Sequence, residues 1–176
     1  MPRSGPLGFD PIAEARRQWD AHGWDDASAG MEVVTTVMRV HQLLLAAVDE
    51  VLDPFALTFA RFELLTLLSF TKEGEMPLGK IGARLQVHAT SVTNAVDRLE
   101  REGLVRRSPH PTDRRAVLAA ITPEGLELAR LAAEALNDYF ASFPVEDGQM
   151  GRITASLRAL RSAAGDPDAS GRPLDR

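Results

Sequence analysis

The feature that most constrains the fold of this chain lies between residues 104 and 121, where two short apolar segments surround a turn. The segments cover residues 104–107 and 116–121, and the sequence SPHPTDRR separates them. Pro, His, Thr and Asp between two apolar runs are typical of a hairpin turn. We therefore predict two antiparallel strands with a pair of arginines, Arg114 and Arg115, at the tip.

Two short amphipathic helices precede this hairpin and are separated by a tight turn. Their predicted inward residues are Leu78, Ile81 and Leu85 in PLGKIGARL, and Val92, Val96 and Leu99 in ATSVTNAVDRLEREG. Gly103 is suited to end the second helix. Two helices followed by a hairpin form a winged helix-turn-helix, whose second helix enters the DNA major groove. The sequence thus predicts a mainly α fold with a small β-hairpin wing.

Further helices with apolar stripes flank this unit. We predict a short helix over residues 10–24 capped by Asp10, a long one over 31–52, one capped by Thr58, and two more over 123–143 and 146–163. The winged helix-turn-helix, which we call the reading head, is too small to bury the stripes of the flanking helices alone. A two-fold dimer is therefore expected. The predicted regions are an N-terminal extension with a short helix (1–30), a helical dimerisation region (31–56 and 123–164), a winged helix-turn-helix (57–122) and a disordered tail (165–176).

Charge and cysteine content narrow the classes of function. The 176 residues carry a formal net charge of −5 and no cysteine, which excludes disulfides and thiol nucleophiles. Between Thr58 and Arg115, ten Lys/Arg oppose seven Asp/Glu, a net charge of +3 that leaves −8 for the rest. Positive charge in the middle of the chain indicates an anionic partner. No uninterrupted apolar run is long enough to span a bilayer and the N-terminus lacks a signal-peptide core, so we expect a cytoplasmic protein without a membrane partner.

The outward face of the second helix carries side chains suited to DNA. Small hydroxyl groups allow close approach, and the Asn94 amide can form paired hydrogen bonds with adenine. The candidate contacts in the two helices and the first strand are Lys80, Thr90, Ser91, Thr93, Asn94, Arg98 and Arg106. Each has a structural alternative, because Ser and Thr near a helix start are often caps and arginines are often solvated charges.

The stretches LTFARFELLTLL, LGKIGARLQVHATSVTNAVDRLEREG and LVRRSPHPTDRRAVLAAITPEG resemble the MarR family of winged-helix transcription regulators. The resemblance extends from about residue 31 to residue 160. It implies a homodimeric, ligand-responsive repressor whose recognition helices, residues 88–102, read a pseudo-palindrome in double-stranded DNA. It also implies that Arg115 enters the minor groove, that Asp113 orients it by an ion pair, and that Arg114 contacts phosphate. Asn94 departs from the family, in which many members have a longer basic side chain there.

The same resemblance implies a small aromatic or anionic effector, with no cofactor and no metal. The extension with Trp19 is similar to the extra helix of a subgroup that includes urate-responsive members, although Ala95 stands where that subgroup has an arginine. Trp19, His41, Glu63 and Arg107 are the candidate effector contacts. The alternatives are that Trp19 attaches the extra helix, that His41 is a core histidine and that Glu63 is solvated.

An enzyme and a protein-interaction module are the two alternative classes of function. Catalysis is not expected, because the four histidines lack metal-ligand spacing and there is no phosphate loop or nucleophile elbow. A winged helix used as a protein-interaction module is the stronger alternative. Arginines on the wing next to a hydroxyl-rich helix start favour DNA over protein docking.

Overall fold

The computed structural model describes residues 8–113 and 115–166, which contain a series of helices and a small sheet. The helices are α1 (Pro11–Ala21), α2 (Asp25–Leu52), α3 (Phe59–Ser69), α4 (Leu78–Leu85), α5 (Ala89–Arg101), α6 (Pro123–Ala141) and α7 (Asp147–Ala163). The strands are β1 (Glu75–Pro77), β2 (Val105–Pro109) and β3 (Val117–Ile121). The predicted fold class, mainly α with a small β wing, is confirmed.

Side-chain caps define several helix starts. The carboxylate of Asp10 accepts a hydrogen bond from the Ile12 N–H at 2.9 Å, and the hydroxyl of Thr122 accepts one from the Gly125 N–H at 3.0 Å. Thr58 precedes α3, but its side chain makes no capping bond. Its hydroxyl instead accepts a long hydrogen bond from Arg61 Nε at 3.4 Å. Thr58 therefore occupies the predicted N-cap position, and it accepts the first N–H groups of the helix through its carbonyl alone.

Helix α2 starts earlier than the sequence pattern predicted. It begins at Asp25 rather than at residue 31, and it therefore crosses the predicted boundary of the extension at residue 30. Two acidic residues in the first turn, Asp25 and Asp26, favour this start because they complement the helix dipole. The buried Ser28 also donates its hydroxyl to the Asp25 carbonyl at 3.0 Å.

The sheet has three antiparallel strands in the order β1, β3, β2. In the predicted hairpin, Val105 pairs with Ile121 and Pro109 with Val117. Strand β1 is not among the predicted elements, and it pairs with β3 on the other side. Three residues are too few to show a strand periodicity, so the alternation rule missed this element.

The chain divides into two compact units at residue 50, the first holding α1 and most of α2. The second unit contains the hydrophobic core around α3. Its most buried side chains are Leu52, Leu64, Leu65, Leu68, Ile81, Val96, Leu99, Val105 and Leu136. The predicted inward residues of α5 are confirmed, with Val92 at 2% exposure and Val96 and Leu99 at 0%.

Helix α6 starts in close contact with the chain before β2. A Cβ atom built on Gly125 would lie 2.1 Å from the carbonyl oxygen of Leu104. Only glycine fits at this point, because no side chain can approach a backbone oxygen so closely. Farther along α6 the buried residues are Ala129, Ala132 and Leu136.

Large apolar side chains remain exposed on three helices. They include Val34, Met38, Leu44 and Leu45 on α2, Leu126, Leu131 and Phe140 on α6, and Met150, Ile153, Leu157 and Leu160 on α7. Single exposed apolar residues are ordinary, but contiguous stripes of this size indicate a binding surface. These residues match the predicted stripes, which need a partner to be buried.

The stripe on α2 also gives this helix a membrane-like composition. The segment from Asp25 to Phe55 is long and apolar enough to cross a bilayer by length and composition, and 6% of its most apolar window is buried. A helix that packs in a dimer of a soluble protein has the same composition.

The predicted tail is partly ordered in the described residues. The carboxylate of Asp166 accepts a hydrogen bond from Gln86 Nε2 at 3.0 Å and pairs with Arg161. Residues 1–7 and 167–176 lie outside the described part of the chain.

Candidate nucleic-acid interface

The recognition helix α5 begins at an unexpected cap, His88. The imidazole Nδ1 of His88 accepts the Thr90 N–H at 3.3 Å and lies 3.1 Å from the Thr90 hydroxyl. The hydroxyl of Thr93 donates to the Ala89 carbonyl at 3.1 Å. Because a histidine takes the capping position, the hydroxyl of Ser91 is not used as the helix cap.

Most of the predicted DNA contacts are exposed on two neighbouring helices and the wing. The exposed residues are Lys80, Thr90, Ser91, Thr93, Asn94, Arg98, Arg106, Asp113 and Arg115. The opposite face of α5 is buried by Val92, Val96 and Leu99. Helix α5 therefore presents its hydroxyl and amide groups on the side away from the core. Arg114 lies outside the described residues.

Arg98 is engaged by a local ion pair. Its Nε lies 2.6 Å from Glu102 Oε1, and Arg61 of α3 reaches the other oxygen of the same carboxylate at 3.2 Å. The carboxylate of Glu102 thus joins the end of α5 to α3. A phosphate contact by Arg98 would require it to share or exchange this partner.

Arg107, predicted as an effector contact, ties the wing to the recognition helix. Its guanidinium pairs with Asp97 at 2.5 Å and Glu100 at 2.7 Å, and Nη2 donates to the Thr93 carbonyl at 3.3 Å. Burial of Arg107 lowers the pKa of its guanidinium, but the hydrogen bonds and charges of Asp97 and Glu100 outweigh it and raise that pKa. We call Arg107, Asp97 and Glu100 the helix–wing clamp.

The wing turn is closed by side chains that bind the main chain. Asp113 Oδ1 accepts the Arg115 N–H at 2.9 Å. His110 Nδ1 accepts the N–H groups of Thr112 and Asp113 at 3.3 and 3.2 Å. Asp113 therefore positions Arg115 through its backbone, and the expected ion pair with the guanidinium is not among the contacts of the described residues.

This arrangement matches known proteins over most of the chain. A family model described as MarR family matches residues 57–117. The regulator PecS of Dickeya dadantii is 30% identical over 124 residues, which cover 70% of this chain and 75% of PecS. The structure of Sco5413, a MarR family transcriptional regulator from Streptomyces coelicolor, is 49% identical, with a TM-score of 0.71 and coverage of 80% of this chain and 98% of Sco5413.

This chain belongs to the MarR family. It is a DNA-binding transcription regulator with the winged-helix fold of that family. The relatives are transcription regulators, which are not enzymes. A more distant MarR-type neighbour, CouR from Rhodococcus jostii RHA1, was solved with p-coumaroyl-CoA bound; it is 27% identical, with a TM-score of 0.61 and coverage of 73% of this chain and 90% of CouR.

The four predicted effector contacts of this MarR protein are divided between the two units. In the first unit, Trp19 packs edge-on against Trp24 with ring centroids 5.3 Å apart, and His41 is exposed within the stripe of α2. In the second unit, Glu63 lines a cavity of about 340 Å³, whereas Arg107 belongs to the helix–wing clamp. Within the described part of the chain, no group of three His, Cys, Asp or Glu residues could hold a metal ion.

Sequence reasoning missed three features of this MarR site. They are the cap at His88, the use of Arg107 in the clamp and the link from Arg61 through Glu102 to Arg98. The clamp has a sequence signal, because Asp97 and Glu100 lie three positions apart on one helix and an arginine follows the turn. The link through Glu102 depends on how α3 and α5 pack, which no local pattern shows. The His88 cap is a contact between residues two positions apart, but histidine is not among the usual capping residues.

Proposed function

We propose that this MarR protein acts as a homodimer that represses transcription from a pseudo-palindromic operator until a small organic effector binds. The observation that carries the proposal is the exposed face of α5, rich in hydroxyl groups, together with the exposed arginine on the wing, Arg115. The helix–wing clamp holds these two elements in one geometry. A fixed geometry is needed because a major-groove helix and a minor-groove arginine must meet the duplex at the same time.

The proposed contacts fall into three groups. Asn94, with the hydroxyls of Thr90, Ser91 and Thr93, reads base edges in the major groove. Arg115 enters the minor groove, where a narrow A·T tract attracts it by shape and potential. Phosphate contacts come from Lys80, Arg98, Arg106 and Arg114, while Asp113 shapes the wing turn.

A dimer is supported by the exposed apolar stripes. The side chains on α2 and α7 keep roughly 40 to 60% of their surface exposed in a single copy, up to 62% at Met38. An isologous interface would remove this surface from water and set the spacing of the two recognition helices. Recognition of successive major grooves then requires half-sites about one helical turn apart.

Separate observations support the proposed effector and the proposed cellular location. The cavity next to Glu63 is large enough for a small organic molecule, and CouR was solved with p-coumaroyl-CoA. A ligand that binds one dimer spacing better than the other shifts the population away from the DNA-binding form. Because the partner is DNA and the family is soluble, we place the regulator in the cytoplasm.

The test is selection of DNA from a random duplex pool by the purified full chain, followed by sequencing. We expect an inverted repeat with half-sites about 10 base pairs apart. Binding to the selected site should weaken linearly with salt on logarithmic axes, with a slope that reflects several phosphates per dimer. No enriched repeat, with association that does not depend on salt, would instead favour the protein-interaction module.

A further inference from the structure

A cavity of about 340 Å³ lies between α3, the end of α4 and α6 of the second unit. We call it the Glu63 pocket. Four phenylalanines line it together with two leucines and two polar residues, and the members that matter here are Phe59, Phe62, Phe70, Phe140, Glu63 and Thr66. Cavities of this size fit a compound of two fused rings.

Glu63 gives the pocket a negative charge that no described cationic side chain neutralises. The side chain is half-buried, and in the described part of the chain no arginine, lysine or histidine forms an ion pair with it. Burial raises the pKa of this carboxyl. A partly desolvated carboxylate without a partner costs free energy that a cation in the pocket would recover.

The second polar group of the wall is also unsatisfied. The hydroxyl oxygen of Thr66 is buried and has no hydrogen-bond partner among the described residues. A serine or threonine in a helix usually donates to a carbonyl one turn earlier. The wall thus carries three side-chain oxygens, two on the carboxylate and one on the hydroxyl, and no described side-chain N–H or cationic group to offset the charge of an anionic ligand.

The phenyl rings add a second source of attraction for positive charge. The rings of Phe59 and Phe62 are stacked, with centroids 6.3 Å apart. Phe70 keeps 62% of its surface exposed, so a ligand can reach its ring. The face of an aromatic ring is negative and attracts ammonium groups, and several rings around one carboxylate are the arrangement that recognises organic cations.

We propose that the Glu63 pocket binds a lipophilic organic cation, with its ammonium group held between the Glu63 carboxylate and the phenyl rings. The inference rests on the proposed function, because it names the chemical class of the effector. It also replaces the anionic effector that the family resemblance implied. An aromatic carboxylate would place its charge next to Glu63, and the wall offers no described cation to offset the repulsion.

The test compares three compounds with the same ring system and different head groups: naphthylmethylamine, naphthylmethanol and naphthoate. Binding to the full chain is measured by isothermal titration calorimetry at pH 7. We expect the amine to bind at least 10-fold more tightly than the alcohol, and naphthoate to bind most weakly. Naphthoate binding as tightly as the amine, or none of the three binding, would overturn the proposal.

Two variants locate the binding. Glu63→Gln keeps the size of the side chain and removes its charge, so the amine should lose at least 10-fold in affinity while the alcohol changes little. Glu73→Gln removes a carboxylate from an exposed loop and should leave all three affinities unchanged. If the affinity for the amine falls equally in both variants, the amine is attracted by the overall negative charge of the protein. That result would contradict binding in the Glu63 pocket.

The design separates this inference from the proposed function. Operator binding by the wild-type chain is measured without any compound, and its failure would count against the regulator. Operator binding together with no preference for the amine would count against the cation pocket alone. If Glu63→Gln changes the dimer dissociation constant and no compound binds, the occupant of the pocket is the second copy of the chain.

Discussion

Arg107 on β2 and Glu100 on α5 are joined twice, because the main-chain N–H and the guanidinium of Arg107 both donate to the Glu100 carboxylate, at 3.0 and 2.7 Å. The guanidinium pairs with Asp97 as well. The wing strand is thus fixed to the recognition helix at both the backbone and the side chain of one residue. DNA reading by two elements depends on this fixed relation.

The first prediction concerns the helix–wing clamp. Arg107→Met keeps an unbranched flexible side chain and removes the guanidinium, and we expect operator affinity to fall about 10-fold because α5 and the wing lose their fixed geometry. The salt slope of binding should stay unchanged, since no phosphate contact is removed. Fluorescence anisotropy with a labelled operator at several salt concentrations measures both quantities.

Arg130→Met is the matched control for this variant. Arg130 also pairs with two glutamates, Glu127 and Glu134, but on the exposed surface of α6. Exposed ion pairs of this kind are screened by solvent and contribute little, so operator affinity should not change. If the salt slope of operator binding is smaller by about one in Arg107→Met than in the wild type, Arg107 contacts a phosphate directly.

The second prediction concerns Arg115. Arg115→Ala should weaken operator binding by an order of magnitude or more, because the minor-groove contact is lost, while the dimer stays intact. Electrophoretic mobility shift and sedimentation measure the two properties. Arg17→Ala removes an exposed arginine of α1 and serves as the control. Affinity that is equal in Arg115→Ala and wild type would remove the minor-groove role.

The fold of the reading head could be predicted because its signals are local. The inward residues of α5, the end of that helix at Gly103 and the hairpin around residues 108–116 each depend on a few neighbouring residues. The faces that are exposed in a single copy could also be identified, since stripes such as Met150, Ile153 and Leu157 exceed what one reading head can bury.

The parts that could not be predicted depend on packing between distant segments. Strand β1 exists because Glu75–Pro77 lies against the far edge of β3. Arg107 was expected at an effector, but the turn at Gly103 brings it back onto α5, where Asp97 and Glu100 lie. The bond from Asp113 to the Arg115 N–H requires a wing turn whose geometry the sequence alone does not define.

The third prediction concerns the dimer. Leu44→Glu places a charge in the exposed apolar stripe of α2, and we expect the dimer to weaken at least 10-fold because the buried charge would have no partner. Analytical ultracentrifugation gives the dissociation constant. Operator binding should become steeply dependent on protein concentration.

Ala46→Glu introduces the same charge in the same helix. At 100° per residue it lies about 160° around the helix axis from Leu44, on the side with Gln42 and Asp49. This variant should dimerise like wild type. Equal weakening in both variants, or in neither, would show that the stripe is not the interface.

The fourth prediction concerns Gly125, where α6 meets the Leu104 carbonyl. Gly125→Ala should lower the free energy of unfolding by about 2–3 kcal/mol, because the added methyl would lie 2.1 Å from the Leu104 oxygen and the backbone must move. Gly151→Ala is the control: a Cβ atom added at this position would have no neighbour within 4 Å, and alanine in a helix should stabilise by about 0.5–1 kcal/mol. Urea unfolding of both variants and the wild type, at the same protein concentration, gives the free energies of unfolding to be compared. Similar stability of the two variants would mean that the junction of β2 and α6 yields to the extra methyl.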